Sequence, residues 1–144
     1  MAKGSEVMST SITITRICNI VENIKTGDDV VRNPIINDEF TIAKSRVKTK
    51  LSKRKDYTYN CAYDAVYDRL FAFTKAIMGS SNVELYKIDS ENSLEPYVIA
   101  AIIVMDEYMA GSTSLLDHQI FEYVIMCATR PLEEELLKEI VKLK

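Results

Sequence analysis

Tryptophan is absent from this chain, histidine occurs once, and glycine and proline number only four and three in 144 residues. Each scarcity excludes something. The single histidine, His118, and three dispersed cysteines, Cys18, Cys61 and Cys127, contain no Cys-x-x-Cys and give no recognisable zinc-ligand spacing. The glycines Gly4, Gly27, Gly79 and Gly111 stand alone, so the chain has neither of the glycine-rich loops that cradle phosphates. The longest apolar run is about half of what spans a bilayer, so no transmembrane helix is expected. The N-terminus, MAKGSEVMSTS, lacks the apolar core of a secretory signal. No internal repeat, low-complexity tract or interdomain linker interrupts the rest.

What is present is the composition of a folded protein, 47% hydrophobic and 27% charged. A chain of this length buries a core as one domain without staples. Residues 1–10 read as a disordered leader, with Met8 as an alternative start, and residues 11–144 as a single helical domain. The odd cysteine count, each thiol beside apolar neighbours, reads as buried free thiols in a reducing, cytoplasmic setting.

The organising stretch is Tyr97–Met105, YVIAAIIVM, nine residues without a charge. A segment apolar on every side is buried on every side. Its burial contributes on the order of 15 kcal/mol gross before chain entropy is subtracted. Its β-branched content also suits a strand, but the flanks favour a helix. Ser93 can cap it, Pro96 is tolerated in a first turn, and Gly111 supplies a stop, which predicts a helix over about 94–110.

The remaining segments read as amphipathic helices. Ile14, Ile17, Val21 and Ile24 share one face of a first helix that stops near Gly27. Phe40, Ala43, Val47 and Leu51 form a narrow stripe on a second, after the connection Asp28 to Pro34. Ala62, Val66, Leu70, Phe73 and Ile77 line a third, which runs from Asn60 to Met78. Val83–Ile88 alternates weakly and reads as an extended connection. Ser114 and Asp117 resemble a capping box before a helix whose buried face is Leu116, Ile120, Tyr123, Val124 and Cys127. That helix is expected to end before Pro131, where a last one begins with Leu132, Leu136, Leu137, Ile140 and Val141 inward.

Chemistry-bearing groupings are few, and each has an ordinary reading beside it. His118 and Cys127 tempt a nucleophile–base reading, but nine residues of helix turn them to opposite sides, which leaves His118–Glu122 as a solvated pair. Asp64/Asp68 and Asp106/Glu107 could each form an acid–base or metal pair, yet no third ligand follows at a fixed spacing. Charge is the least ordinary feature. Residues 44–55 carry seven basic and no acidic side chains, whereas residues 56–144 carry 7 basic and 15 acidic ones. Four of the eight tyrosines, Tyr57, Tyr59, Tyr63 and Tyr67, fall within eleven residues just after the basic block. The block reads either as a phosphate-binding surface or as a docking surface for acidic groups of its own fold or of a partner.

The stretch YNCAYDAVYDRLFAFTKAIMG is similar to the first long helix of HEPN-type nucleotide-binding domains, but their closely spaced Arg and His pair has no counterpart here. A hydrophobic central helix wrapped by amphipathic ones also resembles a Bcl-2-type bundle, without its Asn-Trp-Gly-Arg motif. The second resemblance implies architecture alone.

The sequence therefore predicts an all-α, single-domain bundle of five or six helices around a buried central helix. The expected function is that of a non-enzymatic intracellular binding or assembly protein, acting through protein–protein contacts on a partner or on itself. The alternative is a nucleic-acid-binding subunit. In that reading Lys44, Arg46, Lys48, Lys50, Lys53, Arg54 and Lys55 contact the phosphates of DNA or RNA, while Tyr57 and Tyr59 stack on bases. Neither reading calls for a catalytic residue, a metal, a cofactor or a membrane.

Overall fold

A computed structural model describes residues 9–25, 34–51, 59–79, 91–111 and 116–142 of the chain. They form five helices, α1 (Thr10–Lys25), α2 (Pro34–Lys50), α3 (Tyr59–Met78), α4 (Glu91–Gly111) and α5 (Asp117–Lys142). The chain is all-α, and α4 is the central helix. Every residue from Pro96 to Met105 is buried, with Leu94, Tyr108 and Met109 beside them. All four other helices pack on α4, as an apolar circumference requires. Round α4 their order is α2, α1, α5, α3, and among the described residues the ring is open between α3 and α2, which touch only lightly.

The expected stripes supply most of this packing. Ile17, Val21 and Ile24 of α1, Ala43, Val47 and Leu51 along α2, and Ala62, Val66 and Leu70 of α3 are all buried. Ile14 and Phe40 are half-buried against the core. A pattern read by hydrophobicity misses Thr13, Thr74 and Thr129, each fully buried. Their hydroxyls donate to the carbonyl four residues back, Ser9, Leu70 and Ile125 respectively, so each enters the core with its donor satisfied.

Several boundaries differ from the sequence reading. Helix α4 begins at Glu91, three residues before the expected start, which puts Pro96 in its second turn rather than its first. Pro131 does not divide the last segment, because α5 runs through it as one helix of 26 residues. An interior proline removes one backbone bond and costs about 3 kcal/mol or more in a free helix. Here the residues before it, Val124, Ile125, Cys127 and Ala128, are buried, and Leu132 beyond it packs on the same core. Packing on both sides holds the helix together. Thr10 belongs to α1 rather than to a leader, and residues 1–8 lie outside the described residues.

The outer ends of two stripes are exposed. Leu116 is 61% exposed where the sequence pattern predicts burial, because it precedes the first turn of α5. Ile77 and Leu137 are likewise exposed. Leu116 instead serves the helix start through its backbone. Its amide donates to Gln119 Oε1 at 3.0 Å and its carbonyl accepts from the amides of Gln119 and Ile120. That is one half of a capping box, three residues wide. The predicted Ser114 cap, the connection 83–88 and most of the Asp28–Pro34 connection lie outside the described residues. Gly79 closes α3 with φ at +81°, the left-handed conformation that glycine adopts without strain.

Cys127 is buried, but Cys18 and Cys61 are only half-buried, so the expectation of three buried thiols holds for one. Among the described residues no helix is long and apolar enough to cross a membrane.

Candidate functional site

The four described cations of the basic block divide in two. On one flank of α2, Arg46 and Lys50 turn toward the last turns of α4. Arg46 Nη1 donates to Asp106 Oδ2 at 3.2 Å, and Lys50 Nζ donates to the carbonyl oxygen of Met109 at 3.2 Å. That carbonyl is among the last four of its helix and has no partner within it. A cation there also meets the negative end of the helix dipole. From α1, Arg16 holds the neighbouring Glu107 with both ends of its guanidinium, at 2.6 and 3.4 Å. The hydrogen bond that Arg16 donates to Glu107 makes the guanidinium still harder to deprotonate. Asp106 and Glu107, weighed above as an acid–base or metal pair, are thus each taken by an arginine.

Beneath these pairs lies a small polar core. Thr13 Oγ1 is 2.6 Å from the Tyr108 hydroxyl and 3.2 Å from that of Tyr123, joining α1, α4 and α5. Burial raises the pKa of both tyrosines, and the Thr13 hydroxyl partly offsets this. Tyr123 in turn reaches the Cys127 thiol. Burial pushes that thiol up as well, the opposite of the depressed thiol a nucleophile needs. His118 is half-buried and Glu122 exposed at the start of α5, while Cys127 is fully enclosed. Among the described residues, no three His, Cys, Asp or Glu side chains stand close enough together to hold a metal ion.

The other flank of α2 faces the opening toward α3. Phe40, Lys44 and Lys48 follow at intervals of four and form one row. Lys44 Nζ stands 5.1 Å from the centre of the Phe40 ring, and both lysines are exposed. Phe40 meets Tyr59 edge-on at 6.2 Å, which is the contact that joins α2 to α3 there. From Tyr59 a second row runs along α3 at the same interval, through Tyr63 and Tyr67 to Phe71. Tyr59 and Tyr63 are 6.2 Å apart and tilted, whereas Tyr67 and Phe71 are stacked at 6.5 Å. Tyr67 is 36% and Phe71 40% exposed. Outside this row come Asp64 and Asp68, both exposed.

Of the residues singled out by sequence, Lys44 and Tyr59 therefore both meet Phe40, Lys48 is exposed one turn beyond Lys44, and Arg46 and Lys50 turn to α4. Lys53, Arg54, Lys55 and Tyr57 lie outside the described residues. The acidic run Glu133–Glu135, the natural internal counterpart of a basic block, is not where α2 docks. The cations that act on Glu133 are Arg69 and Arg130, which pull its pKa down while burial raises it more strongly. The aromatic row beyond Tyr59 was legible as spacing, since residues 59, 63, 67 and 71 all carry rings. Its exposure was not, because Tyr63 and Tyr67 flank an inward stripe and could equally have been core. No family model, curated protein or solved structure matches this chain.

Proposed function

We propose that this chain is a non-enzymatic binding or assembly protein whose contact surface is the outer row of α3. The observation that carries this reading is the stacked Tyr67–Phe71 pair, which stays on the surface while the opposite side of the same helix fills the core. Single exposed apolar residues are ordinary, but two aromatic rings in contact on one helix face make a small apolar patch. Rigid rings give large contact area at little entropic cost, and aromatic residues are enriched at the centres of interfaces. The ion pairs of Asp106 and Glu107 and the enclosure of the Cys127 thiol support a reading in which those three groups serve the fold.

A photo-crosslinking amino acid placed at Phe71 in cells tests the reading. Adducts of discrete mass are expected there, with none from the same group placed at exposed Glu122 on α5. An adduct-free Phe71 position would remove the α3 surface from consideration.

A second reading retains the basic segment as a DNA or RNA contact. Exposed Lys44 and Lys48 beside aromatic rings support it, because single strands bind where cations and stacking surfaces meet. It is the weaker one. Arg46 and Lys50 already engage α4, and Asp64 and Asp68 flank the rings on the far side.

A further inference from the structure

We propose that the outer face of α3 pairs antiparallel with the same face of a second copy of this chain. In the pair, Lys75 of each copy lies between Asp64 and Asp68 of the other, and the two Phe71 rings meet at the centre. The inference names a partner for the α3 surface and rests on reading that surface as a contact site.

The arrangement follows from the geometry of one helix. Successive residues turn by about 100°, so Asp64, Asp68 and Lys75 share an arc of about 40°, with Tyr67 and Phe71 on the adjoining arc. All five side chains are exposed, while Ala62, Val66, Leu70 and Thr74 of the same helix are buried. A charged edge and an aromatic edge thus run side by side along α3.

Along the helix axis the charges are ordered, acid before base. The helix dipole accounts for Lys75, which lies in the last turn. It does not account for the aspartates, because the dipole acts within the first turn and no acidic residue stands there. As like charges four residues apart, Asp64 and Asp68 also repel each other. Among the described residues, no ion pair within the copy engages either aspartate or Lys75. The neighbouring cation Arg69 acts on Glu133 of α5 instead.

A two-fold axis perpendicular to α3, passing between Leu70 and Phe71, supplies the missing partners. The rise of about 1.5 Å per residue puts Lys75 about 7 Å to one side of that axis, with Asp68 and Asp64 about 4 and 10 Å to the other. The axis reverses the chain direction and keeps each edge opposite its own kind. Lys75 then falls between two carboxylates of the other copy, and ring meets ring. A parallel pairing would set aspartate against aspartate and lysine against lysine, which is unfavourable. The face is therefore complementary to itself in one orientation, and the pairing closes at two copies.

Charge reversal in the full chain tests the proposal, read by sedimentation velocity. The wild-type chain should dimerise, and less tightly as salt rises from about 50 to about 500 mM, where surface charges are screened. Asp64→Lys with Asp68→Lys should weaken the dimer at least about tenfold, and Lys75→Glu should do the same, because each sets like charges together. Mixed in equal amounts, the two variants should pair again, since both charged contacts of the mixed dimer are then complementary. The three reversals in one chain should likewise restore a homodimer. Thermal melts of dilute, monomeric protein should coincide, as they do for exposed substitutions.

A wild-type chain that stays monomeric, or reversal variants that dimerise as tightly as wild type, would overturn the proposal. So would reversal variants that fold but do not pair when mixed. Crosslinking at Phe71 to a different protein, with the purified chain monomeric, removes the second copy but leaves the contact surface. An absence of any adduct at Phe71 removes both.

Discussion

Lys50 donates from Nζ to the carbonyl oxygen of Met109, so a residue of the basic block closes the end of the central helix. The neighbouring pair, Arg46 with Asp106, does similar work one turn earlier. The four described cations of that block are thereby split by helix geometry, Arg46 and Lys50 holding the fold and Lys44 and Lys48 facing out.

That division is measurable by urea unfolding. Lys50→Met should cost about 0.5–1 kcal/mol, from a lost carbonyl partner and a lost charge at the helix end. Lys44→Gln and Lys48→Gln should each stay within about 0.5 kcal/mol of wild type, as exposed substitutions do. Equal losses at all three positions would mean that the outward pair is also structural.

Asp106 gives a sharper test. Its side chain is 13% exposed, Oδ2 takes Arg46, and Oδ1 is buried without a partner among the described residues. Arg46→Ala should cost about 1–2 kcal/mol by leaving the carboxylate without its cation. Asp106→Asn should recover part of that loss in the Arg46→Ala background. The coupling in this double-mutant cycle should be about 1 kcal/mol, reduced from a fully buried pair because Arg46 is 59% exposed. Purely additive effects would show that the two side chains do not act together.

The Thr13 hydroxyl is shared by Tyr108 and Tyr123. Thr13→Val keeps the shape and removes the oxygen, which should cost about 1–3 kcal/mol through the hydrogen bonds lost to both phenols. Thr13→Ser should lose less, because the hydroxyl stays. A melt in which valine matched wild type would assign Thr13 to packing alone.

Stability should fall in alkali, and the sign follows from burial. Desolvation raises the pKa of Tyr97, with Cys18, Glu135 and Glu22 adding to the rise. A phenol whose folded pKa is raised holds its proton more tightly folded than unfolded. Its contribution is therefore complete below the ordinary value of about 10 and is lost as pH climbs toward the folded value. Tyr97→Phe keeps a ring beneath Lys25, which stands 5.5 Å from its centre. Melting temperatures should thus match wild type near neutral pH and fall less steeply above about pH 9.5, where phenols begin to ionise. Parallel curves for the two proteins would contradict the buried-phenol account.

The arrangement of the helices was largely legible because burial leaves a local trace. Nine uncharged residues at Tyr97–Met105 can only be central, and apolar residues recurring every three or four positions mark the faces turned to them. The threonines escaped this reading, since a buried hydroxyl satisfied by its own helix leaves no apolar mark. Pro131 misled it, because the rule for proline describes a helix standing alone.

Charge is where sequence stops. Residues 44–55 declare seven cations, but nothing local says which of them meets a carboxylate sixty residues away. The stripe of Phe40, Ala43, Val47 and Leu51 shows which side of α2 docks and leaves open what it docks against. By itself the sequence determined the class of fold, the central helix and most inward faces, for these follow from hydrophobic spacing along one chain. Only the tertiary structure decided that Arg46 and Lys50 serve the end of α4, while Lys44 and Lys48 stay exposed on the Phe40 flank of α2. That choice depends on how neighbouring helices are turned about their axes, and this is set by side chains far apart in sequence packing against one another.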